Sequence, residues 1–403
     1  MSENDLPDGM GMTRRNLLLG ATALAMTRYA GAAADPAKTP YGLPGPYRGR
    51  VVEVFHPDSV FDGKIDADAV RTMMRRGMCE LTGAKDETAA WKRFFKPGDV
   101  VAVKGSGVGQ PRSISQHETL KEVFRGLSLA GVRNEDIVMY ERYEVELFGN
   151  GFDKIIPPGA RFAFVSHDAN TMQVDTDGYD PETYVEFPRI MTGADAGNPV
   201  HRRSHLNVVV SKQVTKVINV AALKDHASAG VTMALKNMSH GFVNNVCRTH
   251  INADNNWCAT FIPAIVALPK IRQKVVLHIG DGLIGTYDGG PGAWNLHFKT
   301  WEYRSLFFAT DPVAMDRIGW EILDRKRVEA GLPRLAETGI KAKNPGFEQF
   351  NHRQPEHVLL AAKAGLGEAD LAKIKHTRIE LKGDPNKPRP TKPPVSSDEE
   401  AVR

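Results

Sequence analysis

The stretch VINVAALKDHASAGVTMALKN, residues 217–237, decides how this chain is read. Residues 217–220 have the length and apolar character of a buried strand, and Lys224, Asp225 and His226 follow it. Small residues then lead into a helical pattern through Val231 to Lys236. Runs of the same kind recur at 51–55, 100–103, 137–140, 162–165, 206–210, 275–279 and 306–309. Helical patterns follow several of them. One runs over 66–81, one over about 115–130 with Gly131 as its stop, and one opens at Asp311 with Pro312 in its first turn and runs to about Lys326. Strand and helix alternating in this way specify an α/β fold, a mostly parallel sheet with helices on both faces. An irregular insertion rich in Asp, Gly and Thr separates 162–165 from 206–210.

The chain has 403 residues, 52 Lys plus Arg against 48 Asp plus Glu, and an apolar fraction of 41%, enough to bury a large core. So even a charge balance argues against nucleic acid as a partner. No stretch reaches the roughly 18 consecutive apolar residues of a membrane span, so no permanent anchor is expected. Cys79, Cys247 and Cys258 are too few and too irregular for a four-thiolate site, which excludes an iron–sulfur cluster. Cys247 and Cys258 are the nearest pair for a disulfide if the protein leaves the cytoplasm; otherwise all three are free thiols.

Arg14-Arg15, a weakly apolar stretch to Met26 and Ala32-Ala33-Ala34 have the parts of a twin-arginine signal peptide over 1–34. The expected partner during export is the twin-arginine translocase, and the expected location is the periplasm or outside the cell. Residues 35–49, with four prolines, read as an extended lead-in, 50–382 as the α/β body and 383–403 as a disordered tail.

In an open parallel sheet, ligands bind beyond the carboxyl ends of the strands. The residues leaving the runs are therefore the candidates. They are Lys104 with Gly105, Gly107 and Gly109; Glu141 and Arg142; His167 and Asp168; Lys224, Asp225 and His226; Asp281; and Asp311. The loop after Lys104 is neither a dinucleotide fingerprint nor a P-loop, but its amides could cradle an anion, with Lys104, Gly105 and Gly107 binding substrate. Lysines beside His226 disfavour its protonation, which suits it to proton abstraction or metal ligation. Lys224, Lys236 and His226 are the candidate catalytic groups. If Asp281 and Asp311 face His226, the three make a site for a divalent cation of unspecified identity. His240, Cys247, His250 and Cys258 cluster in sequence, although their spacing fits no zinc signature. Trp257, Trp294, Trp301, Tyr287 and Tyr303 read as a pocket wall or as core.

The pattern VINVxxLKxHxxxGVTxALKN, with DGLIG at 281–285 and ATDPVAMD at 309–316, resembles the family catalogued as domain of unknown function 362, over roughly 95–325. The resemblance implies site positions at Lys224, His226, Lys236, Asn237, Asp281, Asp311 and Asp316, with Asn237 a substrate contact, but no reaction. Many similar members add a ferredoxin-like module, whose cysteines this chain lacks. Two readings stand: an exported enzyme acting on a small anionic substrate with a divalent metal, or a non-catalytic protein of the cell envelope that binds an anionic ligand or cofactor.

Overall fold

Alternate residues of the apolar runs enter two different cores. Val101, Val103, Ile137, Met139, Ile218 and Val220 face one; Ala102, Val138, Tyr140 and Val217 face the other. A sheet buried on both faces is what continuous apolar runs require. The computed structural model describes residues 42–166, 173–191, 193–250, 257–295, 297–338, 353 and 355–387. The signal-peptide reading, His167, Asp168 and most of the tail lie outside these residues.

The strands are β1 (Arg50–Phe55), β2 (Val60–Phe61), β3 (Lys64–Ile65), β4 (Val101–Lys104), β5 (Ile137–Tyr140), β6 (Arg161–Ala163) and β7 (Tyr179–Glu186). They continue as β8 (Arg203–Asn207), β9 (Lys216–His226), β10 (Gly230–Thr232), β11 (Val275–Asp288), β12 (Lys299–Ala309) and β13 (Lys375–Glu380). Among the described residues the main sheet has nine strands in the order β13-β1-β12-β11-β9-β4-β5-β6, with β10 paired to β9. Only β12 and β10 run antiparallel to their neighbours. Helices Ala67–Thr82, Glu87–Trp91 and His117–Leu129 bury their apolar sides in the first core. Ala234–Phe242, Cys258–Val266, Pro312–Glu329 and Glu356–Lys363 do so in the second. The expected α/β architecture, with helices on both faces of a mostly parallel sheet, is the one observed.

Several boundaries differ from expectation. Strand β9 does not end at Val220 but continues to His226, because 224–226 pair with 230–232 of β10. The helix expected through Val231 therefore begins only at Ala234. Strand β11 runs to Asp288, so Asp281 lies inside a strand rather than at its exit. The run 206–210 is not in the main sheet; β8 pairs with β7 in a separate ribbon, which organises part of the insertion. The lead-in is packed where it is described: Leu43 is buried, and its N–H donates to Arg272 O at 2.7 Å. Strand β13 lies in a region given no element from sequence. Of the tail, Asp384 N–H donates to Asp58 Oδ2 at 2.6 Å and Lys387 pairs with Asp66.

Gly126 shows how tightly the first core is filled. A Cβ built there would lie 2.0 Å from the indole of Trp91, which is wholly buried. Alanine gains about 1 kcal/mol of helix propensity over glycine, but overpacking a filled core costs about 1 to 3 kcal/mol. We expect Gly126→Ala to lower the unfolding free energy in urea by up to about 2 kcal/mol; a stabilised variant would mean that Trp91 has room to move.

Candidate functional site

After β4 the chain moves to β5 and β6 on one side; β9 takes the other side of β4 and leads on to β11. The path reverses between β4 and β9, and in open α/β sheets the crevice beyond the carboxyl ends at such a reversal is where ligands bind. Lys104 is the last residue of β4, and Lys224 to His226 close β9.

Lys104 is committed internally. Its buried Nζ donates to Glu141 Oε1 at 2.5 Å and to Gly105 O at 2.6 Å. A Cβ at Gly241 would meet Lys104 Cε at 2.4 Å, so glycine is what lets this lysine run against the helix Ala234–Phe242. The loop amides are also spent: Gly105 N–H on Tyr140 O, Ser106 N–H on Ser115 Oγ at 2.8 Å, and Gly107 N–H on Glu141 Oε2 at 3.0 Å. The anion cradle expected of Lys104, Gly105 and Gly107 is therefore satisfied from within, because Glu141 takes the donors of Lys104 and Gly107 and Tyr140 O takes that of Gly105. Asn237 ties the parts together, its Nδ2 donating to Asn219 Oδ1 at 2.7 Å and Gly105 O at 3.1 Å.

Lys224 and Lys236 are different. The Lys224 ammonium has one hydrogen-bond partner among the described residues, Ser106 Oγ at 3.2 Å. Lys236 Nζ has none there, and neither forms an ion pair with a described residue. Burial pushes Lys224 down to about 7 and Lys236 down to about 8; each has a neighbouring cation adding to the effect and Glu146 opposing it. Glu146 is itself pushed up, by burial and by Glu141. It lies in the helix Glu144–Gly149 beyond β5 and went unnoticed in the sequence, since nothing in its spacing sets it apart.

His226 is buried, and its ring is oriented by the chain that follows. Ser228 N–H and Ala229 N–H both donate to Nδ1, at 3.0 and 3.2 Å. Burial first, then Lys236, holds the ring well below the usual imidazole range. A neutral ring with Nδ1 accepting carries its proton on Nε2. His226 is thus set to donate through Nε2 rather than to serve as the base or metal ligand expected, and its ring centroid lies 5.2 Å from that of His250.

The expected cation site of His226, Asp281 and Asp311 is not assembled. Asp281 accepts from Gln116 N–H at 2.8 Å and Leu283 N–H at 3.1 Å, which anchors the start of the helix His117–Leu129. Asp311 caps its own helix through Ala314 N–H at 2.9 Å and also accepts from Gly49 N–H and Glu368 N–H. Burial raises both carboxyls to about 6. Asp316 accepts from Ala234 N–H at 2.7 Å and Leu235 N–H at 3.1 Å, fixing the start of the helix that carries Lys236 and Asn237. All three aspartates hold backbone in place. Asp225 turns from the crevice into a buried quartet with Arg353, Arg327 and Asp288.

The second cluster is brought together. His240, His250 and Cys258 place one ligand atom each within 4.8 Å of one another, and no other such group of three occurs among the described residues. Cys247 and Cys258 are not joined in a disulfide, nor is either joined to Cys79. Tyr287, Trp301, Tyr303 and Phe307 pack ring to ring along β11 and β12, away from the β4 edge, so these aromatics are core.

No curated protein matches this chain. Among solved structures, the crystal structure of a protein from Thermotoga maritima, described as a Northeast Structural Genomics Consortium target, is similar at 11% identity with a TM-score of 0.33. The match covers 66% of this chain and 60% of that one, less than two thirds of its length. Residues 169–321, the stretch that supplies β9, Lys224, His226, Lys236, β11 and Asp311, match the family model described as domain of unknown function (DUF362).

Proposed function

We propose that the crevice beyond β4 and β9 binds a small anion of the carboxylate or phosphate class and performs acid–base chemistry on it through Lys224. One observation carries this reading: Lys224 and Lys236 are buried without a hydrogen-bonded carboxylate. A buried cation with no counter-ion is costly, and functional sites are where such a cost is retained. An arriving anion supplies the missing charge. Lys236 fixes that charge, the His226 Nε2–H donates to it, and Lys224, poised near neutrality, takes up or returns a proton. Lys104 and Glu141 position the loop 105–115 rather than the ligand.

The test is a thermal-shift series with phosphate, acetate, succinate and citrate on the wild type, Lys224→Met and Lys236→Met. At least one anion should raise the wild-type melting temperature by several degrees and leave both variants unmoved. No shift with any of them, or equal shifts in the variants, contradicts the proposal.

A further inference from the structure

We propose that His240, His250 and Cys258 form a binding site for a divalent transition-metal ion of the zinc class. This site borders the lysine crevice, the His250 ring centroid lying 5.2 Å from that of His226, but its ligands are different residues, so its failure would leave the anion reading standing. The three residues come from separate pieces of chain that pack together. His240 lies in the last turn of the helix Ala234–Phe242, His250 follows the turn Cys247–Thr249, and Cys258 opens the helix Cys258–Val266. His240 Nε2 lies 4.0 Å from Cys258 Sγ, and the two imidazole centroids are 5.1 Å apart. In a tetrahedral zinc site the ligand atoms sit roughly 3.3 to 3.6 Å from one another, so a side-chain adjustment of about 1 Å closes the set.

Two hydroxyls border the three ligand atoms. The Ser239 hydroxyl has one proton and donates it to Lys236 O at 3.2 Å. His240 Nδ1 lies 3.0 Å from the same hydroxyl, a contact that fixes the ring with Nε2 on the side of Cys258. Thr249 Oγ1 touches His240 Nε2 and His250 Nδ1 at 3.1 Å and Cys258 Sγ at 3.6 Å, but spends its proton on Val246 O at 2.7 Å.

Two imidazoles and a thiolate select zinc or cobalt over magnesium or calcium. Binding forms a metal–sulfur bond as the Cys258 S–H bond breaks, and the proton leaves to solvent; no electron is transferred. Three protein ligands leave one coordination position open.

Cobalt(II) titration of the metal-free full chain tests this. We expect one equivalent to bind, with a thiolate charge-transfer band in the near ultraviolet that zinc abolishes. Cys258→Ser should lose the band and bind at least about tenfold more weakly, as Ser239→Ala should without losing the band. Cys247→Ser and Cys79→Ser should behave as the wild type. No bound cobalt, or a band that survives Cys258→Ser or vanishes in Cys247→Ser, overturns the proposal. Zinc-edge X-ray absorption of the wild type is independent of any variant's folding: one sulfur and two imidazoles support the site, and an all-oxygen shell overturns it.

Discussion

Arg353→Met is expected to lower the unfolding free energy by about 3 to 5 kcal/mol, the usual cost of leaving a buried charge without its partner. Arg353 Nε donates to Asp225 Oδ2 at 2.9 Å and Nη2 to Asp288 Oδ1 at 3.0 Å, and all three residues are buried. Arg327 remains on Asp288 at 3.0 Å but reaches Asp225 only at 3.8 Å, so Asp225 takes most of the loss. The quartet fastens the end of β9 to β11, to the helix Pro312–Glu329 and to Arg353, whose N–H also donates to Ala227 O at 2.7 Å. Gly230 permits this approach: with φ at +70°, a Cβ there would lie 3.0 Å from Pro355. Urea denaturation gives the number. A loss below about 1 kcal/mol would show that Arg327 alone neutralises both carboxylates.

Wild-type stability is expected to rise with pH between about 7.5 and 9.5, and Lys224→Met should remove much of that slope. The sign follows from burial. Lys224 is held down to about 7 and Lys236 to about 8 in the fold, against 10.5 for a free lysine. Between those limits the unfolded chain binds more protons than the folded one, so raising the pH favours folding. Below them both forms are protonated and the folded state carries the full cost of the buried charge. For Lys224 the difference is on the order of 5 kcal/mol. The variant should therefore be more stable than the wild type near pH 7, although it loses the ligand. Tyr140, Tyr143 and Tyr303 are pushed up by burial and act in the opposite direction, but only above about pH 10, where a free tyrosine ionises. Thermal or urea unfolding across the range checks this; parallel curves for wild type and variant would show that Lys224 does not titrate there.

The main sheet was legible because strands buried on both faces read as unbroken apolar runs. Their ends were not. Lys224, Asp225 and His226 look like a loop, yet they stay in β9 because β10 turns back and pairs with them. The aspartates failed for a different reason. A buried carboxylate taking two or three backbone N–H groups and one taking a metal have the same sequence signature, and Asp281, Asp311 and Asp316 all proved to be the former. The lysines stood out because an apolar segment carrying Lys224 and Lys236 has few structural uses for them. Glu146 and Arg353 left no trace, since folding rather than spacing brings Glu146 near Lys224 and Arg353 onto Asp225.

The central claim is that two lysines lie buried and near neutrality in one crevice. Carbon-13 labelling at the lysine ε-carbon, followed by nuclear magnetic resonance through a pH titration, tests it most directly. Two signals should titrate with midpoints near 7 and 8, one vanishing in Lys224→Met and the other in Lys236→Met. If every lysine instead titrates above about pH 10, as solvated lysines do, the account is contradicted.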